Sequence, residues 1–129
     1  MAGRFGYELD VTRLDEKQEV TIKRQIEFEK TIRELVAFGS QYRLVESDSG
    51  TYFAWMYVSE DRAKAVVTIV SKTIVPVESK KRIYLKGLDE NAVYACGDER
   101  YSGRVLMNMG LEYTHRSNYA CQMLVFERV

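Results

Sequence analysis

Acidic side chains are the first place to look for chemistry in this sequence, because two of them at a fixed separation suffice to hydrolyse a glycoside. Retention needs the carboxyl groups about 5–5.5 Å apart and inversion about 6.5–9.5 Å. Asp15, Asp48, Asp61, Asp89 and Asp98 stand beside Ser, Gly or Asn or ahead of a helical pattern. Those are positions where Asp caps helices and builds turns. Asp10, with Glu8, is the exception. Both follow the apolar run that starts at Gly3, and if residues 3–9 form a strand of a barrel they lie toward its C-terminal end, where barrel enzymes place their sites. The alternative for Asp10 is a loop or helix-start role. His115 is the sole histidine and sits in the polar run Thr114-His115-Arg116-Ser117-Asn118, with no orienting acid or nucleophile in the pattern. A solvated loop position accounts for it. Tyr52, Phe53, Trp55 and Tyr57 could stack a sugar ring, although aromatic residues within one strand are usually core. Gly3 and Gly6 belong to no phosphate-cradling motif.

Cys96 and Cys121 are the two cysteines, and neither stands in a Cys-x-x-Cys or His-bearing cluster. No metal spacing results. Both lie in apolar, strand-like runs, so both are expected to be buried, reduced thiols. No catalytic, cofactor-binding or metal-binding residue is therefore assigned.

The elements that would position any such residue divide at about residue 40. Asp15 is a good N-cap with Gln18 three residues on, and Gly39 stands where a left-handed C-cap residue is expected, so one helix is predicted over 15–38. At about 1.5 Å per residue it is some 35 Å long. Ile22, Ile26, Phe28, Ile32, Leu35 and Val36 fall on an apolar arc covering half its circumference. An arc that wide predicts two neighbours. Glu29 and Arg33 lie inside it, four residues apart, and either pair with each other or with a polar group at that seam or form a half-exposed surface pair. From Gln41 the hydrophobic period changes to two. Residues 42–45, 52–58, 65–70, 82–86, 92–96 and 119–126 read as strands, separated by turn clusters such as Ser47-Asp48-Ser49-Gly50 and Gly97-Asp98-Glu99. Runs 52–58 and 65–70 are apolar at nearly every residue, the mark of central strands or strands covered on both faces. Residues 102–108 break the alternation and suggest a short helical turn. Short strands with short turns favour antiparallel pairing in a two-sheet sandwich.

Residues 3–9, read as a strand, are followed directly by the long helix, and the sequence nearby supplies no parallel partner strand. Either this is the last strand and helix of an α/β domain preceding an all-β domain, or the strand joins the sheet of a free-standing α+β domain. At 129 residues the chain is one domain by length. Its 19 basic and 19 acidic residues cancel, which argues against nucleic acid or an anionic membrane as partner. No apolar run is long enough to span a bilayer and the first residues carry no secretory signal, so a cytoplasmic location is expected.

Several segments in order carry a resemblance. Gly3 to Asp10, Ile32-Arg33-Glu34-Leu35-Val36, Phe38-Gly39, Tyr42-Arg43-Leu44, Ala54-Trp55-Met56, Val58-Ser59-Glu60-Asp61, Leu85 to Asp89, Tyr101-Ser102-Gly103, Leu106-Met107-Asn108 and Gly110-Leu111 resemble the C-terminal part of α-galactosidases of glycoside hydrolase family thirty-six. Arg104, where an acidic residue is more usual, and the polar run 113–118 depart from that pattern. The resemblance implies a retaining enzyme that removes terminal α-linked galactose from melibiose, raffinose and related oligosaccharides without a metal or organic cofactor. It implies that residues 1–40 end a (β/α)8 barrel and that 41–129 form a C-terminal antiparallel β-sandwich. The fold expected is thus mainly β, with one strand and one long helix ahead of the sandwich. The catalytic aspartates of the family belong to earlier barrel strands, so this chain is expected to be inactive alone, supporting the upstream barrel as its partner. Two alternatives are a carbohydrate-binding module using Tyr84, Tyr94, Tyr101 or Tyr113, and a homo-oligomer formed through the apolar arc of the helix.

Overall fold

The computed structural model describes residues 5–45, 51–72, 80–114 and 117–129. Helix α1 runs from Glu16 to Phe38 and begins as the spacing predicts. The Asp15 carboxylate accepts the Gln18 N–H at 2.7 Å, and the Gln18 side chain accepts the Asp15 N–H at 3.1 Å. This reciprocal box satisfies two of the donors that a helix start leaves unpaired. Its other end differs from expectation. Gly39 is extended, with φ −74° and ψ 160°, rather than left-handed. Space, not handedness, demands glycine here: a Cβ would lie 2.4 Å from the Leu35 carbonyl oxygen and 2.8 Å from that of Val58. The close approach lets the chain pass from helix into strand within one residue.

Eight strands follow among the described residues: β1 Ser40–Val45, β2 Tyr52–Val58, β3 Lys64–Ser71, β4 Lys80–Ile83, β5 Val93–Cys96, β6 Glu99–Ser102, β7 Leu111–Thr114 and β8 Cys121–Arg128. A six-stranded sheet has the order β1-β2-β3-β8-β5-β6, and β4 pairs with β7 in a second, two-stranded sheet. Every pairing is antiparallel. The core lies between the sheets. Ala54, Met56, Val58, Ala65, Val67, Ile69 and Phe126 of the large sheet meet Ile83, Leu85, Leu88, Leu106 and Leu111. Helix α2, Gly103–Asn108, occupies the expected helical turn and contributes Leu106 to that core.

Strand β3 is buried on both faces, as its unbroken apolar run predicts, because α1 covers its outer side at Val66. Strand β2 is a central strand, paired with β1 and β3, and alternates in burial: Tyr52, Ala54, Met56 and Val58 are buried, while Phe53, Trp55 and Tyr57 are half-buried. Two strands escape the sequence pattern. In β6 the run Glu-Arg-Tyr-Ser lacks apolar alternation, and in β7 only Leu111 and Tyr113 face inward. Gly97-Asp98, a turn in the sequence reading, is the two-residue connection of the β5–β6 hairpin, with Cys96 opposite Glu99. Gly97 has φ +60°, which glycine at the first position of such a turn supplies without strain. Residues 82–86 alternate as expected, yet the β4 ladder stops at Ile83. Beyond it, the Leu85 N–H donates to the Leu106 carbonyl of α2 at 3.1 Å instead of to a strand.

The expected strand over residues 3–9 does not form in its described part. Residues 5–9 join no ladder, since no neighbouring strand offers its backbone groups. They lie along α1 instead. The Tyr7 hydroxyl bonds the Gln25 side chain, and Leu9 shares an apolar hollow of about 300 Å³ with Leu14, Thr21 and Ile22. Since Tyr7 meets the helix at Gln25 and Leu9 meets it nearer its start, the segment runs antiparallel to α1. The helix thus has the two neighbours its wide arc predicts. Its C-terminal half rests on Tyr57, Val66, Met123 and Val125 through Phe28, Ile32, Leu35 and Val36, and its N-terminal half on the segment before it. Glu29 and Arg33 pair at 2.8 Å beside this seam.

Candidate functional site

Asp10, the acidic residue the sequence sets apart, is fully engaged in local structure. Its carboxylate accepts the Thr12 hydroxyl at 2.6 Å and the Thr12 N–H at 3.0 Å, capping a 3-10 turn over Val11–Arg13. Arg13 approaches it at 3.3 Å. The Thr12 hydroxyl, then the Thr12 N–H, hold the carboxyl below the usual carboxylate range, so Asp10 is an anion near neutrality. Glu8 is exposed on the same segment. Asp61 plays the equivalent part between β2 and β3. It accepts the Ser59 hydroxyl at 2.6 Å and the Ala63 N–H at 2.9 Å, which lower its pKa in that order of importance. His115 lies outside the described residues.

The aromatic candidates separate by strand parity. Tyr52 faces the core, with the Lys81 ammonium 5.9 Å from its ring centre, while Phe53, Trp55 and Tyr57 face the helix side of the sheet. The Trp55 Nε1 is buried and makes no hydrogen bond. Of the four tyrosines offered for a carbohydrate-binding module, Tyr84, Tyr94, Tyr101 and Tyr113, two are core residues, a correction to the expectation. Tyr94 is wholly buried, donating to the Arg62 carbonyl at 2.7 Å and accepting from the Asp89 N–H at 3.0 Å. Tyr113 is buried with its hydroxyl 2.9 Å from that of Ser71. Both place a polar tip in a hydrogen bond and bury a ring, the combination that suits tyrosine to a core edge. Tyr84 is half exposed.

Tyr101 lies in a more open place. A hollow of about 260 Å³ is lined by Cys96, Glu99 and Tyr101 of the β5–β6 hairpin, Leu111 to Thr114 of β7, and Gln122 and Leu124 of β8. The Tyr101 hydroxyl donates to the Glu99 carboxylate. That hydrogen bond, reinforced by burial and by the Glu99 charge, pushes the phenol up to about 12. Burial, then the Glu99 charge, also pushes the Cys96 thiol up, which keeps it protonated and a poor nucleophile. Cys121 departs from expectation: it is a free thiol but an exposed one, on the outer face of β8 at the end away from Val125, where α1 packs. Among the described residues no three His, Cys, Asp or Glu side chains are grouped to hold a metal ion. No helix there is long and apolar enough to cross a membrane.

A helix-backed antiparallel sheet closed by a two-stranded sheet is a β-sandwich architecture, here joined to a helical lead-in. Comparison with known proteins makes the class specific. Residues 52–126 match the glycosyl hydrolase family 36 C-terminal domain, and the chain belongs to that family. Among curated relatives, alpha-galactosidase AgaA of Geobacillus stearothermophilus is 39% identical over 128 residues, covering 96% of this chain and 17% of that protein. Alpha-galactosidase C of Emericella nidulans is 33% identical, covering 99% and 17%. The solved structure of alpha-galactosidase AgaB from Geobacillus stearothermophilus superposes with a TM-score of 0.93 at 38% identity, covering 99% of this chain and 18% of that one. That of the Lactobacillus brevis alpha-galactosidase gives 0.89 at 30%, covering 96% and 18%. The chain therefore spans less than a fifth of the length of these relatives.

Proposed function

We propose that this chain is the non-catalytic C-terminal domain of a larger α-galactosidase that removes terminal α-linked galactose, of the melibiose and raffinose type, by a retaining mechanism. The observation that carries this reading is the coverage: nearly the whole chain aligns with under a fifth of several α-galactosidases, and one related structure, that of an AgaA variant, holds raffinose. The residues agree with a supporting role. Asp10 and Asp61 are spent on turns, and the sandwich core is closed by apolar side chains and satisfied tyrosines. Residues 1–40 would complete the barrel and 41–129 would form the sandwich that covers it. Phe5 to Leu9 lying antiparallel to α1 is the arrangement of a strand and the helix that follows it, wanting only a neighbouring strand. Two free thiols, one of them exposed, suit a reducing cytoplasmic compartment.

The test is hydrolysis of an aryl α-galactoside. The isolated chain is expected to release no galactose, and the same chain joined to the barrel encoded upstream is expected to be active. Turnover by the isolated chain would overturn the proposal.

A further inference from the structure

Strand β8 is paired unequally along its two edges. Toward β3 its ladder runs unbroken from Glu127 opposite Lys64 to Cys121 opposite Val70, but toward β5 it holds only at Arg128 opposite Tyr94 and Glu127 opposite Ala95. The cause is the short β5–β6 hairpin, which turns back at Gly97 and Asp98 while β8 continues. Among the described residues, no strand pairs with the β5-side edge of residues 121–125. The hollow of about 260 Å³ lies along this edge, with Gln122 and Leu124 in its wall.

An open edge is a template for another strand, and proteins blunt such edges with charge, proline or a bulge. The outermost strands of this sheet follow that rule. β1 carries Arg43 and a register shift between Arg43 and Val45, and β6 is four residues long with Glu99 and Arg100. Cys121-Gln122-Met123-Leu124-Val125 has none of these devices.

We infer that this edge pairs with the same edge of a second copy of the chain, antiparallel about a two-fold axis through Met123. Cys121 then lies opposite Val125 of the second copy, and Gln122 opposite Leu124. A second copy fits because the run is uncharged, so pairing it with itself opposes no like charges. Glu127 and Arg128 are already paired with Ala95 and Tyr94 of β5, so these charged residues stay outside the new ladder. Tyr119, 83% exposed beside the edge, supplies apolar surface for the second copy to cover. The contact closes on itself, since β5 already occupies the strand beyond Val125. Five residues a side bury less than the roughly 800 Å² per partner of a standard interface, so association is reversible and concentration-dependent. This inference does not rest on the galactosidase reading, and either can fail without the other.

Sedimentation of the full chain over a range of concentrations reaching the millimolar is expected to show the mass rising from 15.0 kDa toward twice that value. Gln122→Lys, which sets two ammonium groups diagonally across the axis, is expected to weaken association about fivefold. The register is tested by Met123→Cys combined with Cys121→Ser. Facing residues in an antiparallel pair are about 4.5–5.5 Å apart at Cα, within disulfide reach, so this variant is expected to cross-link to itself on oxidation. The unsubstituted chain is expected not to cross-link through Cys121, because the two Cys121 residues stand four positions apart, about 13 Å. A constant mass of 15.0 kDa, or cross-linking through Cys121 as ready as through position 123, overturns the inference. Should Met123→Cys fail to fold, sedimentation of the unsubstituted chain and of Gln122→Lys still decides, and identical mass profiles overturn the pairing.

Discussion

Among the described residues, Tyr101 has its titration displaced far enough to be seen directly, through its hydrogen bond to Glu99. The phenol donates to the carboxylate, so ionising it loses a hydrogen bond and sets two anions side by side. Absorbance titration of the folded chain should show Tyr101 ionising near 12, and Glu99→Gln should bring it back toward 10. The sign for stability follows. A phenol whose folded pKa is raised contributes fully below its unfolded value of about 10, and that contribution is lost as the pH rises toward 12. Chemical denaturation at rising alkaline pH should therefore show a steeper loss for the native chain than for Glu99→Gln. The pair was hard to see in the sequence because Glu99 reads as part of a turn, and only the hairpin register places it against Tyr101. Asp15 and Gln18 were legible for the opposite reason, since a capping box is contained within four residues.

At the level of elements, local signals found the long helix, its start, the short helix and six of the eight strands among the described residues. The missed strands and the misjudged positions share one cause, which is that non-local packing decides them. Gly39 is the clearest case. Its identity suggests a left-handed cap, but its need is for room between the Leu35 carbonyl oxygen of the preceding helix and the Val58 carbonyl oxygen of β2, and the second of these contacts comes from a distant part of the chain. Gly39→Ala is accordingly expected to destabilise the fold by on the order of 1–3 kcal/mol through overpacking. Asp15→Ala, losing the box alone, should cost about 1 kcal/mol. Thermal unfolding of the two variants side by side checks both magnitudes. Ile32 is the anchor of the helix on the sheet, buried against Val66, and Ile32→Ala is expected to cost about 2–5 kcal/mol. A loss below about 1 kcal/mol would mean that the helix is held mainly by its other contacts.

For the molecule as a whole, the sandwich was legible from alternation and turn spacing, while its supporting role was legible only from the ordered family resemblance. Nothing in the period-two pattern separates a sugar-binding sandwich from a supporting one. Burial separates them in part, by taking Tyr94 and Tyr113 into the core and leaving Tyr84 and Tyr101 nearer the surface. The exposure of Cys121 is not legible in the sequence for a similar reason: an apolar strand is buried only as far as something lies over it, and α1 packs over the opposite end of β8.

That same limit divides α1 into two halves with different lifetimes. Residues from Phe28 onward are clamped to the sheet, whereas those before it are held by a short lead-in segment and by Tyr7 and Gln25. Hydrogen exchange of a single continuous helix should therefore show a gradient, with amides near Leu35 opening only with the whole domain and those near Thr21 opening locally and much faster. In the larger enzyme proposed above, docking of the barrel would abolish that gradient. The slow and fast halves would merge, which makes the exchange profile of α1 a direct gauge of whether the domain is engaged with the rest of its protein.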